Sequence, residues 1–64
     1  MTRLDDRQRD VLRLLADGCS VNEVARTLCW SERTIKVVVH DAVELLGARN
    51  RVHAVALAVR DGLV

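Results

Sequence analysis

Polar helix-capping residues and glycines recur along this 64-residue chain at the spacing of short helices. At the first of these signals, Asp5 or Asp6 can accept hydrogen bonds from the first backbone N–H groups of a helix. Gly18 can adopt the left-handed conformation that ends one. We therefore predict a first helix over residues 5–17. Its inward positions at helical spacing are Gln8, Val11, Leu12 and Leu15.

The stretch "SVNE" at residues 20–23 has the form of a capping box, in which Ser20 and Glu23 each accept a hydrogen bond from the other's backbone. A one-sided apolar stripe follows, made of Val21, Val24, Ala25 and Leu28. We predict a short second helix over residues 20–27. The next capping candidate is Ser31, so the connection "LCW" between the second and third helices is tight.

From Ser31 the chain continues without a helix breaker to Gly47, which predicts a third helix over residues 31–46. Helical spacing gives this helix a core face of Ile35, Val39, Ala42 and Leu46. The flanks of that face are Val38 and Leu45 on one side and Val43 on the other. The opposite, outer face consists of Arg33, Lys36, Val37, His40 and Glu44. Three consecutive valines therefore have different expected positions: Val39 in the core, Val38 at its edge and Val37 in solvent.

A β-strand over "IKVVVH" is the alternative, because β-branched residues favour strands. The chain offers no second strand to pair with it, and the helical spacing continues beyond this stretch. A helix is favoured on both grounds.

The fourth predicted helix covers residues 50–61, with Asn50 as its cap and Gly62 after its end. Its apolar residues do not form a single stripe. One side carries Val52, Ala56 and Val59, and the other carries Ala54, Leu57 and Ala58. Two apolar faces on a helix this small imply two neighbours, one inside the domain and one outside it.

Half of the residues are hydrophobic, 30% are charged and proline is absent, which is the composition of one small globular domain over residues 1–64. The predicted fold is a compact all-α domain of four helices with a central helix-turn-helix. Because a chain of this length buries only about 60% of its unfolded surface, we expect it to associate with a partner.

Several functional classes find no support in the sequence. No stretch approaches the ~20 apolar residues that cross a bilayer, and the first ten residues lack the apolar segment of a signal peptide, so we expect a cytoplasmic protein without a membrane partner. Cys19 and Cys29 form no metal-binding spacing, so neither a metal nor a cofactor is expected. No nucleophile, base and orienting group occur together, so the chain is not expected to be an enzyme.

A short capped helix, a tight connection and a longer helix with a basic outer face form the helix-turn-helix arrangement, whose second helix enters the major groove of DNA. The same spacing also fits a plain pair of packed helices. The net charge of +1 and the pI of ≈ 7.9 lie below the pI above ~9 that is typical of nucleic-acid-binding domains. Two functions stay open: binding of double-stranded DNA, and a degenerate helix-turn-helix that acts as a protein-interaction or dimerisation module.

A longer pattern is more specific than the spacing. The strings "LxxRQRDVLRLLADGCSVNEVARTLCWSERTIK" and "LLGARNRVHAVALAVRDGLV" resemble the LuxR-type (NarL- or GerE-like) helix-turn-helix domain, and the resemblance covers residues 4–64. Such a domain usually lies at the C-terminus of a bacterial response regulator or ligand-sensing transcription factor.

The resemblance implies roles for individual residues. By position, Lys36, Val37 and His40 fall where family members contact base edges, and Arg33 and Thr34 where they contact phosphates; Arg51 lies near a helix end that can approach the DNA backbone. The family typically dimerises through the fourth helix, which makes Val52, Ala56 and Val59 the expected dimerisation residues. RNA polymerase is a further candidate partner.

The sequence departs from the family pattern at four positions. Val38 stands where a histidine is frequent and Leu45 where a lysine is frequent, while Val21 and Asn22 stand where asparagine and lysine are common. These differences remove positive charge and keep the protein-interaction alternative open.

Overall fold

The computed structural model describes residues 4–64 of the chain, and every regular element in that range is an α-helix. The four helices are α1 (Asp6–Ala16), α2 (Val21–Leu28), α3 (Glu32–Leu46) and α4 (Arg51–Arg60). The predicted all-α, four-helix fold is therefore confirmed. The alternative strand over "IKVVVH" is wrong, because these residues form the middle of α3.

Each helix begins at a polar side chain that accepts a hydrogen bond from the third backbone N–H of the helix. The caps are Asp5, Ser20, Ser31 and Asn50. The boxes at α1 and α2 are reciprocal, because the Gln8 and Glu23 side chains also accept from the backbone N–H of the cap residue. Gln8 thus serves α1 as a capping residue.

The turn between α2 and α3 is closed by backbone hydrogen bonds. Trp30 N–H donates to the Ala25 carbonyl at 2.9 Å, and Cys29 adopts a left-handed conformation with φ of 60°. This geometry ends α2 and turns the chain within a few residues, so Ser31 can cap α3 soon after α2 ends. The Trp30 side chain is half-buried against the core cluster to which α1, α2 and α3 contribute.

Helices α1 and α3 form the centre of the fold, because each of them packs against the other three helices. The core consists of two clusters, and both include residues of α1 and α3. The first joins α3 to α1 and α2 through Val11, Val24, Ala25, Ile35, Val38 and Val39. The second joins α3 to α1 and α4 through Leu4, Leu12, Ala42, Ala54 and Ala58.

The prediction that Val38 lies at the edge of the core is wrong. Val38 and Val39 are both 8% exposed, and both belong to the cluster shared with α2. Helical spacing defines where a side chain points but not how far a neighbouring helix covers it, and α2 covers this flank of α3. Leu46, predicted on the core face, is only half-buried against the second cluster. Val37 is exposed, as predicted.

Candidate nucleic-acid interface

The outer face of α3 presents the candidate DNA-contacting residues together. Ile35, Val38, Val39 and Ala42 are buried on the inner side of the helix. All five candidates on α3 are exposed: Arg33, Lys36, Val37 and His40 lie on the outer face, and Thr34 lies in the first turn, one turn before Val38. Their shared exposure follows from the burial of the opposite face, since the core contacts fix the rotation of α3 about its axis.

Thr34 has a second task in the first turn of α3. Its backbone N–H donates to Ser31 Oγ at 3.1 Å, and its hydroxyl lies 2.9 Å from the same oxygen. These contacts hold the hydroxyl of Thr34 at the beginning of the helix. A hydroxyl and backbone N–H groups at a helix N-terminus are groups that bind phosphate oxygens.

Charge is distributed unevenly along the outer face of α3. In the first half Arg33 and Lys36 outnumber the single acidic residue Glu32, while the second half carries Asp41 and Glu44. Glu44 follows Lys36 by about 12 Å along the helix axis, at 1.5 Å per residue. The N-terminal half of α3 is therefore the half suited to polyanionic DNA.

His40 lies between these two halves. Its Nε2 atom is 3.9 Å from Glu44 Oε1, and both side chains are exposed. A pair this long and this solvated contributes little to stability. The imidazole therefore stays available as a hydrogen-bonding group on the surface.

Val37 is the large exposed apolar residue in the N-terminal half of α3. Its side chain is 54% exposed and sits next to Lys36 in sequence. A single exposed valine is common on protein surfaces. Here, however, its neighbours on the outer face are the residues that carry the positive charge and hydrogen-bonding groups.

Arg51 lies apart from the α3 residues, in an open groove of ≈ 270 Å³ at the beginning of α4. The residues that line this groove come from the end of α1, the α1–α2 turn, the start of α2 and the start of α4: Leu15, Gly18, Cys19, Ser20, Val21, Arg51, Val52 and Val55. The candidate DNA-binding residues thus form one group on α3 and one separate residue on α4.

The predicted dimerisation residues form an exposed stripe on α4. Val52 is 75% exposed and Val59 is 53% exposed, and Ala56 between them is also exposed. On the opposite side of the same helix, Ala54 and Ala58 are completely buried. The two apolar faces inferred from the sequence are therefore present, and only one of them is covered within residues 4–64.

One contact near the candidate interface was not found from the sequence. Asn22 Nδ2 donates a hydrogen bond to Glu32 Oε2 at 2.8 Å, which connects the first turn of α2 to the first residue of α3. The two residues are ten positions apart, so no helical periodicity relates them. Only the angle between α2 and α3 brings them together.

Residues 4–64 contain no cluster of three or more histidine, cysteine or acidic side chains that could hold a metal ion. Within the same range, none of the helices combines the length and the hydropathy needed to span a membrane.

Comparison with known proteins gives a consistent result. The family described as "Bacterial regulatory proteins, luxR family" matches residues 2–58. The chain is 40% identical over 63 residues to the transcriptional activator protein BjaR1 of Bradyrhizobium diazoefficiens, covering 98% of this chain and 26% of that protein. It is 41% identical over 54 residues to the nitrate/nitrite response regulator protein NarP of Escherichia coli, covering 84% and 25%.

Among solved structures, the transcription factor GerE superimposes with a TM-score of 0.87 at 27% sequence identity, covering 92% of this chain and 88% of that one. The chain spans about a quarter of the length of the curated relatives it matches.

Proposed function

Because the chain belongs to the luxR family of bacterial regulatory proteins, whose helix-turn-helix domain binds DNA, we propose that the outer face of α3 enters the major groove of duplex DNA. The observation that carries this proposal is the shared exposure of Arg33, Lys36 and Val37 on the N-terminal half of a helix whose opposite face is buried, with His40 exposed next to that half. The buried face thereby fixes which side chains of α3 are exposed, and this supports the proposal.

Phosphate contacts come from the first turn of α3. Arg33 carries positive charge there, and Thr34 holds its hydroxyl beside Ser31. Contacts of this kind set the register of the protein on the duplex and carry no sequence information by themselves. Arg51, on the separate α4 groove, adds a contact to the DNA backbone further along the duplex.

Base contacts come from the next turn. Lys36 can donate to guanine O6 or N7, and His40 can donate to or accept from a base edge. Val37 offers no hydrogen bond and can only make apolar contact. Asp41 and Glu44, further along α3, carry the charge that phosphates repel, so the N-terminal half of the helix is the half that enters the groove.

The exposed stripe of Val52, Ala56 and Val59 is proposed as the surface through which two copies associate. A two-fold dimer uses the same patch on both copies, and three aligned small apolar residues can pack against themselves. Two copies then read two half-sites about one helical turn, or roughly 34–36 Å, apart.

A bacterial transcription regulator acts where the chromosome and the transcription machinery are. We therefore propose a cytoplasmic location, regulation of transcription without enzymatic activity, and RNA polymerase as a further partner. For this chain we propose only DNA binding, and none of the other activities of the longer proteins that it resembles.

Selection of bound sites from random duplex DNA tests the function. The selected duplex is then titrated with the 64-residue chain from about 50 to 200 mM salt. We expect a steep loss of affinity with added salt, because lysine and arginine displace counterions from phosphates. Failure to enrich any sequence, together with salt-insensitive binding to a protein, would instead support the protein-interaction module.

A further inference from the structure

The hydrogen bond between Asn22 and Glu32 differs from the other side-chain hydrogen bonds among residues 4–64. Those other bonds join residues at most four positions apart, within one helix, its cap or the adjacent turn. Asn22 Nδ2 instead reaches Glu32 Oε2, 2.8 Å away on the neighbouring helix. Among residues 4–64, the Asn22–Glu32 bond is therefore the side-chain hydrogen bond that depends on the distance and angle between α2 and α3.

Glu32 occupies a sensitive position. It is the first residue of α3, directly before Arg33 and four residues before Lys36. A carboxylate at a helix N-terminus stabilises the helix through its dipole. At the end of a helix that approaches DNA, the same carboxylate repels phosphates.

The Asn22 contact resolves this conflict in the free protein. An exposed glutamate side chain can adopt several rotamers, some of which turn the carboxylate toward Lys36, one turn further along the same side of α3. The donated hydrogen bond from Asn22 selects the rotamer in which the carboxylate lies against the first turn of α2. The negative charge stays near the N-terminus of α3, and the carboxylate does not approach Arg33 and Lys36 on the outer face.

We propose that Asn22 is a positioning residue for DNA binding, which acts by holding the Glu32 carboxylate against α2 and away from the phosphate-contacting turn. This inference rests on the proposed function. It adds a residue outside α3 to the set that determines affinity, and that residue is uncharged.

The main test is a double-substitution cycle on the selected duplex. Asn22→Ala leaves the net charge unchanged, so a loss of affinity cannot come from a change in net charge. We expect a loss of about threefold to tenfold, the size of one ordinary protein hydrogen bond. In the Glu32→Ala protein there is no carboxylate to hold, and Asn22→Ala should then change affinity less than about twofold.

A second test exchanges the amide and the carboxylate between positions 22 and 32 and asks whether DNA affinity recovers. Asn22→Asp places two carboxylates together and should weaken binding more than Asn22→Ala does. Adding Glu32→Gln allows the glutamine amide to donate to the new aspartate, and the pair again carries one negative charge. We expect this double variant to recover most of the affinity that Asn22→Asp loses.

The outcomes distinguish failure of the proposed DNA binding from failure of the positioning role of Asn22. If the wild-type chain binds no duplex in a salt-dependent way, the proposed function fails, and the positioning role fails with it. If the wild type binds but Asn22→Ala has no effect, or has the same effect with and without Glu32, the positioning role alone is overturned. Urea unfolding of each variant checks that the binding assays are done on folded protein.

Discussion

Ser20 and Glu23 cap the beginning of α2 reciprocally. Ser20 N–H donates to Glu23 Oε1 at 2.9 Å, and Glu23 N–H donates to Ser20 Oγ at 3.1 Å. The bond from the Ser20 backbone, with a further contribution from its hydroxyl and from Arg26, lowers the pKa of Glu23 below its ordinary value of 4.5. Folding therefore favours the ionised carboxylate.

The lowered pKa of Glu23 predicts an acid-dependent loss of stability. Since the folded-state pKa is below the unfolded-state pKa, this contribution is present above about pH 4.5 and disappears as the pH falls through the folded-state value. Glu23→Gln keeps an acceptor oxygen but cannot titrate. Urea unfolding at neutral and acid pH should give a smaller pH-dependent change in unfolding free energy for Glu23→Gln than for the wild type.

Asp6 provides a matched control. It lies in the first turn of α1 and pairs with Arg9 only at 3.5 Å on the surface. Asp6→Asn should leave most of the acid dependence in place. Equal pH profiles for the wild type and Glu23→Gln would show that the capping box contributes nothing to acid stability.

Burial of Val38 and exposure of Val37 predict different costs for the same substitution. Val38→Ala removes methyl groups from the cluster shared with α2 and should cost about 1.5–3 kcal/mol of unfolding free energy. Val37→Ala should stay within about 0.5 kcal/mol of the wild type, because its side chain faces solvent. Chemical denaturation of both variants checks this, and equal costs would contradict the assignment.

The two valines also illustrate what the sequence could predict. Caps at Asp5, Ser20 and Asn50 depend on local hydrogen bonds, so their positions follow from residue type and spacing. The coverage of Val38 by α2 depends on the distance and angle between two helices, which local spacing does not encode.

In the candidate site, too, features of a single helix could be predicted from the sequence, and contacts between helices could not. Exposure of Lys36 and His40 on one side of α3 could be predicted, because one helix determines it. The contact between Asn22 and Glu32 could not, since it requires two helices at a defined angle. The location of Arg51 in a groove with the α1–α2 turn also depends on tertiary packing.

Lys36→Ala should separate phosphate contact from base contact. If Lys36 meets a phosphate, the slope of log affinity against log salt should fall by about 1 for every sequence. If it meets a base, one position of the selected site should lose its preference, at a cost of about 1–3 kcal/mol. Fluorescence anisotropy over a salt series and a panel of single-base variants measures both.

Arg13→Ala is the control for net charge in that experiment. Arg13 lies in the last turn of α1 and pairs with Asp10 at 3.3 Å, away from the outer face of α3. Arg13→Ala removes one positive charge, as Lys36→Ala does. It should leave both the salt slope and the sequence preference near those of the wild type. A Lys36→Ala variant that behaves like Arg13→Ala would remove Lys36 from the interface.

Val59→Glu should convert an associating chain into a folded monomer. Val59 is 53% exposed, so the substitution does not disturb the core, but it places a charge within the stripe that includes Val52 and Ala56. Sedimentation should show a lower average mass than the wild type at equal concentration. Affinity for a duplex with two half-sites should fall, while affinity for one half-site should not.

Leu45→Glu adds the same charge at an exposed apolar residue of α3, outside the α4 stripe. Its sedimentation should match the wild type. If the wild-type chain is monomeric even at high concentration, the stripe on α4 does not drive self-association of this chain. An equal effect of Val59→Glu and Leu45→Glu would indicate a non-specific charge effect.

Val37 should contact the methyl group of a thymine. Its side chain is exposed beside Lys36 on the half of α3 that carries positive charge, and it can form no hydrogen bond with a base. The C5-methyl of thymine is the apolar group that the major groove displays. Replacing thymine by uracil removes that methyl group and leaves the hydrogen-bonding pattern of the base unchanged.

The experiment replaces each thymine of the selected site by uracil in turn and measures affinity for the wild type and for Val37→Ala. We expect one position at which uracil weakens binding of the wild type but hardly changes the affinity of Val37→Ala. At that position the thymine methyl group would contact the methyl groups of Val37, which the alanine variant lacks. Loss at that position in both proteins would assign the methyl contact to another residue. If no position couples to Val37, the valine is an ordinary exposed residue, and sequence preference must come from hydrogen bonds of residues such as Lys36 and His40.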